Sequence, residues 1–333
     1  MPTPPPTDPN AAEGATKSTG PDAPRRSLAV RVRRFIERPR VFALLLIAPA
    51  LIFFFVWNII PVLTLIGVSF YNYSMVTGMP PRYIGLGNYE DIVYSFRLWE
   101  SFGRTLSWVV VTVGIETVLG IAIGILFWGS VRLPGRRLAL TLLFTPMLMT
   151  PLAAGIFFRL MYEPSIGIIN YVTRWAGLGT FSFLSDRSLA FAAVVFVDVW
   201  MWTPFMVLIT LAALGSVPKA ELEAAEVDRL PWWRRLVTVV LPHAKFILMI
   251  GILLRTIESF KTMDLVFNMT GGGPGTTTEL VALTLWRRAF EAFNLGWSSA
   301  LAFILLLMAI AFTSIFLFVL NLRRRQQERE ASA

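Results

Sequence analysis

A chain of 333 residues that is 55% hydrophobic and 15% charged, with a mean hydropathy of +0.63, has too little charge to cover a soluble surface of its size, which excludes an ordinary water-soluble enzyme. Its net charge of +9 is not a nucleic-acid footprint, because no soluble basic domain exists to hold a duplex. Cysteine is absent and His243 is the single histidine, so disulfides are excluded and neither a Cys/His metal site nor a Ser/His/Asp set is expected.

In chain order, residues 1–40 read as a cytoplasmic tail. Seven of the 21 prolines fall in residues 1–24 without apolar periodicity, which predicts disorder, and Arg25 to Arg40 is a basic segment suited to anchoring topology at the lipid headgroups. Six apolar runs follow, about 41–70, 106–128, 138–158, 188–215, 246–270 and 298–320. Each is of the order of the roughly 20 residues that cross ~30 Å of hydrocarbon as helix. None alternates polar and apolar as a barrel strand does, so the expected fold is all-α and integral to the membrane. The first run is longer than one span needs, which predicts a tilt or kink near Asn58 to Pro61. Residues 323–333 form the second tail.

Twenty Lys and Arg fall on the side that holds both tails and the loop around Glu223, against eight on the other, with Arg255 and Lys261 inside a span. Positive charge is retained in the cytoplasm, so both termini and that loop are expected there. No G-x-x-x-x-G-K-[ST] phosphate loop is present, so the chain is not expected to hydrolyse ATP alone and no cofactor is expected here. The outer loops, about 35, 29 and 27 residues long, are too short to fold as a solute-capturing domain.

Charge inside the spans is costly and usually faces a bundle interior or a water-filled path. Arg255, Glu258, Lys261 and Asp264 stand three apart in the fifth run, where Arg255 can pair with Glu258 and Lys261 with Asp264 along one stripe; a structural stripe and a substrate path are both open. On the fourth run, Asp198 stands beside Trp202 and Phe205, and a carboxylate next to aromatic faces suits a polyhydroxylated ligand. A Trp-rich interface belt is the competing reading, and Trp200 is assigned to neither. Glu116 and the Gly120-x-x-x-Gly124 pair are read as helix packing.

Between the fourth and fifth runs lies Glu223-Ala224-Ala225-Glu226-Val227-Asp228-Arg229-Leu230, closed by Leu241-Pro242. This resembles the EAA loop of ABC importer permeases: E-A-A, three residues, Gly, nine residues, then I-x-L-P. Arg229 stands at the glycine position and Val239 at the isoleucine position. The stretch Thr270-Gly271-Gly272-Gly273-Pro274 is similar to the T-x-G-G-P turn of the carbohydrate-uptake, maltose-type branch, and the likeness covers residues 40–322.

The resemblance implies a six-helix type I importer permease with a domain over 41–322. In a bacterial inner membrane, its partners would be a second homologous permease, two ATPase subunits that bind ATP and its magnesium, an extracytoplasmic solute-binding protein and membrane lipid. The solute would be a sugar or polyol, with glycerol phosphate or an anionic sugar as the alternative, and a stand-alone secondary transporter or channel is the reading from another class. The loop at about 217–243 would couple to the ATPases through Glu223, Ala224, Ala225, Asp228, Arg229, Leu241 and Pro242. By the family's positions, Asp198, Met201, Trp202 and Phe205 on the fourth run and Arg255, Ser259 and Thr262 on the fifth would face the solute, with Glu258 beside them. Arginine in place of glycine at 229 implies either a different turn, helped by Pro231, or a changed ATPase contact.

Overall fold

The computed structural model describes residues 39–129 and 134–332. The expectations for the tail up to residue 38 and for Arg132 lie outside them. The chain divides into two compact units, Met1–Pro61 and Val62–Ala333.

In the first unit, helix α1 (Pro39–Phe54) leads into a π turn, Phe55–Ile59. The amide of Ile60 donates to the Phe55 carbonyl, five residues back, and the Asn58 side chain donates to the Phe54 carbonyl at 3.1 Å. The cause is Pro61, which has no N–H and withdraws a donor from the preceding turn. The kink expected near Asn58 to Pro61 is thus a π turn.

The second unit takes up at Val62, within α2 (Ile60–Ser69). A two-residue antiparallel ladder follows, with Tyr71 opposite Tyr83 and Asn72 opposite Arg82, and then α3 (Gly87–Tyr94) and α4 (Phe96–Gly129). The third run does not form one straight helix. Helix α5 (Arg136–Phe144) and a single 3-10 turn at Pro146–Leu148 meet α6 (Pro151–Met161) at 98°. Pro146 and Pro151 each lack a donor, and Thr150 caps α6 by accepting from the Ala153 amide at 3.3 Å.

After α7 (Ile168–Trp175), Asp186 caps α8 (Arg187–Gly215), accepting from the Ser188 hydroxyl at 2.5 Å and the Ser188 amide at 2.7 Å. Those bonds, the hydroxyl's first, hold its carboxyl below the ordinary aspartate range. Next come α9 (Lys219–Val227), the single turn α10 (Trp232–Arg235), a π turn at Leu236–Val240 and α11 (Leu241–Phe260). This π turn precedes Pro242 at the same offset at which the first precedes Pro61. The fifth run therefore ends at Phe260 rather than at residue 270, and Asp264 opens a separate helix, α12 (Asp264–Thr270). Helix α13 (Val281–Trp286) and α14 (Leu295–Ser332) complete the unit.

By length and apolarity, five helices among the described residues can cross a membrane, or six if the bent α5–α6 pair is one span. The architecture is all-α and multi-pass, with Leu46–Ser69, Phe96–Trp128, Arg187–Gly215, Trp232–Phe260 and Leu295–Phe318 as the five candidate spans among the described residues. Helix α8 is the axis of the second unit, with fifteen buried residues. Helices α4 and α11 close on it through glycine. A Cβ at Gly120 would strike the Cβ and backbone of Met206, one at Gly124 would lie 2.5 Å from Thr210, and one at Gly251 would lie 2.5 Å from Ile209. The Gly120-x-x-x-Gly124 pair is helix packing, as the sequence predicts.

Candidate functional site

Where these three helices pack together, charge meets away from the surface. Arg255 on α11 donates from Nε to Glu116 Oε2 at 2.6 Å and from Nη2 to Glu116 Oε1 at 2.9 Å, a two-pronged grip on a carboxylate of α4. The same Nη2 donates to Asp198 Oδ2 on α8. Side-chain exposure is 1% for Arg255, 0% for Glu116 and 1% for Asp198. Desolvation of this kind is offset only by good geometry and further hydrogen bonds. One donor, Arg255 Nη1, is buried without a partner. The guanidinium carbon lies 4.8 Å from the Trp202 ring centre, and Trp202 meets Phe205 edge-to-face at 6.2 Å.

The structure thus brings Asp198, Trp202, Phe205 and Arg255 together. Met201 is buried in the core at 2% exposure. Ser259 lies one turn beyond Arg255 and is bonded to Thr112 of α4 at 3.1 Å. Thr262 stands past the end of α11, its amide donating to the Ser259 carbonyl at 3.3 Å. The two expected intrahelical pairs are not formed. Arg255 turns to Glu116 and Asp198, and exposed Glu258 pairs with Lys261 at 2.8 Å, because α11 ends before Asp264 and the buried arginine requires buried acids. Glu116 and Thr112 were not placed at the site by sequence reasoning. The available signal was Glu116 itself, an isolated acid in an apolar run that must also hold the partner of a buried arginine.

At the end of α11 nearer Leu241, α9 carries Glu223, Ala224 and Ala225. Glu223, Ala224 and Asp228 are exposed, whereas Ala225 is buried. Glu226 pairs with Arg235 at 2.6 Å and Glu221 lies 3.2 Å from His243, so the segment is tied to the foot of the next helix. Leu241 is half-buried and Pro242 exposed at the start of α11.

Arg229 does not make a different turn. Its φ of 52° is left-handed, its amide donates to the Glu226 carbonyl at 3.0 Å, and the Leu230 amide donates to the Ala225 carbonyl at 3.0 Å. That is a Schellman ending with arginine in the glycine position. Pro231 instead precedes the next helix as its N-cap. At the far end of α11, the Gly-Gly-Pro loop is cross-linked by Thr270 and Thr278 hydroxyls 2.7 Å apart, and Arg287 donates to the Gly271 carbonyl.

The family of binding-protein-dependent transport system inner membrane components matches residues 116–327. This chain belongs to that family. The permease is 32% identical to the trehalose/maltose transport system permease protein MalF of Thermococcus litoralis, over 84% of this chain and 94% of that one. It is 30% identical to the sulfoquinovosyl glycerol transport system permease protein SmoG of Agrobacterium fabrum, over 85% and 91%. The fold matches a bacterial ABC transporter involved in import of the acidic polysaccharide alginate, with a TM-score of 0.74 at 19% identity, covering 89% of this chain and 99% of that one. The permease is therefore a non-catalytic membrane subunit of an ABC-type importer with the type I architecture.

Proposed function

We propose that this permease moves a carbohydrate-like solute, a sugar or polyol, past the Asp198–Trp202–Phe205 wall of α8 and the Arg255–Ser259 stripe of α11, with Met201, Glu258 and Thr262 flanking that path. The observation that carries the reading is the Arg255 guanidinium over the Trp202 ring at 4.8 Å, with Phe205 edge-on. An aromatic face beside a fixed donor suits the C–H face and the oxygens of one sugar ring. The relatives named for trehalose, maltose and sulfoquinovosyl glycerol support a carbohydrate.

A neutral solute is supported by the charge count at the site, since Arg255 is already held by two carboxylates and offers no free positive charge. An anionic sugar is the second reading. It draws on the sulfoquinovosyl glycerol relative and on the buried Nη1 that has no partner.

The α9 segment, with Glu223, Ala224, Ala225, Asp228, Arg229, Leu241 and Pro242, is the proposed contact with the ATPases, on the cytoplasmic side together with both termini. A second homologous permease, two ATPases, a solute-binding protein and lipid complete the proposed assembly. The test is uptake into liposomes by that assembly, with trehalose, maltose and sulfoquinovosyl glycerol offered in turn. Uptake of none of them counts against the solute class, and transport by this chain alone counts against the assembly.

A further inference from the structure

Arg255 has five N–H donors, and their assignment is almost closed. Glu116 takes Nε and one Nη2 proton in a two-pronged grip at 2.6 and 2.9 Å, and Asp198 takes the other Nη2 proton. Only Nη1 is left, buried and without an acceptor. A buried unsatisfied donor is costly and calls for an explanation. The guanidinium plane cannot turn to share its donors, because Glu116 binds it at two points from another helix. The unpaired group also belongs to a buried cation that overlies a partly exposed aromatic ring, Trp202.

From this arrangement we infer that Glu116 is a positioning residue for solute recognition: it holds the Arg255 fork, stacked on Trp202, so that Nη1 donates to an acceptor oxygen of the carbohydrate, a hydroxyl, ring or acidic oxygen. The inference rests on the carbohydrate reading above. It gives the two carboxylates different tasks. Glu116 sets the plane of the guanidinium from α4, and Asp198 holds its edge from α8. Glu116 itself does not touch solute, and together with Asp198 it leaves Arg255 no free positive charge, so selection rests on where an oxygen sits. Glu116→Gln keeps the size of the side chain but presents an amide group to a cation, which releases the grip at one prong.

The experiment uses the assembled importer in liposomes with one unaltered binding protein. It compares uptake of trehalose and maltose with uptake of each of their monodeoxy analogues by wild type, Glu116→Gln and Arg255→Lys. Because the binding protein is the same throughout, its own preferences cancel when deoxy ratios are compared between variants. In wild type, removal of the oxygen that meets Nη1 is expected to lower uptake about tenfold. In both variants that ratio is expected to fall below about threefold, even as uptake of the parent sugar declines. A merely structural role for Glu116 would lower all analogues in proportion and leave the ratio untouched, which would overturn the inference. A density map of the wild-type assembly with trehalose or maltose bound away from Arg255 would also overturn it. Uptake of neither sugar by wild type would overturn the neutral-carbohydrate reading and this inference together, whereas an unchanged ratio with uptake intact overturns this inference alone.

Discussion

Glu116 grips Arg255 with both carboxylate oxygens across 139 residues of sequence, at 2.6 and 2.9 Å, with neither side chain exposed above 1%. Removing one member of such a buried pair strands the other. Glu116→Ala is expected to destabilise the protein by about 3–5 kcal/mol, seen as a lower unfolding temperature in detergent. Replacing Glu116, Asp198 and Arg255 together by apolar residues of similar volume should recover much of that loss while abolishing uptake. A triple replacement no more stable than Glu116→Ala would show that the charges carry more than their own compensation.

Arg229 occupies a left-handed position that glycine takes without cost. Arg229→Gly should stabilise the end of α9 by roughly 1 kcal/mol, and Arg229→Val should destabilise it by at least as much. Hydrogen exchange at the Leu230 amide, which closes the turn onto Ala225, reads the effect directly. Slower exchange in the valine variant than in wild type would contradict the assignment.

Gly120 and Gly114 lie on the same helix and should respond to different degrees to a methyl group. A Cβ at Gly120 collides with the backbone of Met206, whereas one at Gly114 meets nothing within 4 Å. Gly120→Ala is expected to cost about 1–3 kcal/mol through separation of α4 from α8, and Gly114→Ala should change stability by about 0.5 kcal/mol or less. Thermal unfolding of the two purified variants decides it.

Asp186 caps α8 only as a carboxylate, because it accepts from both the Ser188 amide and the Ser188 hydroxyl. Its folded-state pKa is lowered, so its stabilising contribution is present above the ordinary aspartate range and is lost as pH falls through the lowered value. Asp186→Ala should expose the Ser188 amide to faster exchange at neutral pH, and wild type and variant should converge in acid. A difference that persists undiminished in acid would argue against the charged cap.

Glu223 is exposed on α9, apart from the Glu226–Arg235 pair that ties the segment to α10. Glu223→Lys should leave folding within about 0.5 kcal/mol of wild type while reducing solute-stimulated ATP hydrolysis by the assembled importer. Full stimulation in that variant would show that this face does not meet the ATPases.

The spans were legible because a helix in hydrocarbon must be continuous and apolar, and that property is written locally in runs such as 188–215. What went unread depended on distant residues. Arg255 was paired along its own helix by the spacing rule, but its partners lie 57 and 139 residues away, and sequence spacing carries no information about which helices meet. The bend at Thr145–Thr150 was marked by Pro146 and Pro151 and lay hidden in an otherwise unbroken apolar run. At Arg229 the residue type argued against the left-handed turn, yet the turn is held by hydrogen bonds back to Ala225 and Glu226 that outweigh the penalty on one side chain.

The π turn at Leu236–Val240 sits between the segment that carries Glu226's partner, Arg235, and the stretch that carries Arg255. It works as a phase setting in a shaft. Every residue of an α-helix advances the side-chain direction by about 100°, and a π turn adds one residue without a matching change at either end. Deleting Thr238 would therefore turn the stretch into plain α-helix and leave the direction of Arg255 relative to Arg235 nearly as it is, whereas deleting one residue from the α-helical stretch between Leu241 and Arg255 would swing it by about 100°. Pro242, by withholding an amide proton just past the turn, fixes where that extra residue resides. The shaft thus keeps its phase across an extra residue, and a single proline decides where that slack is taken up.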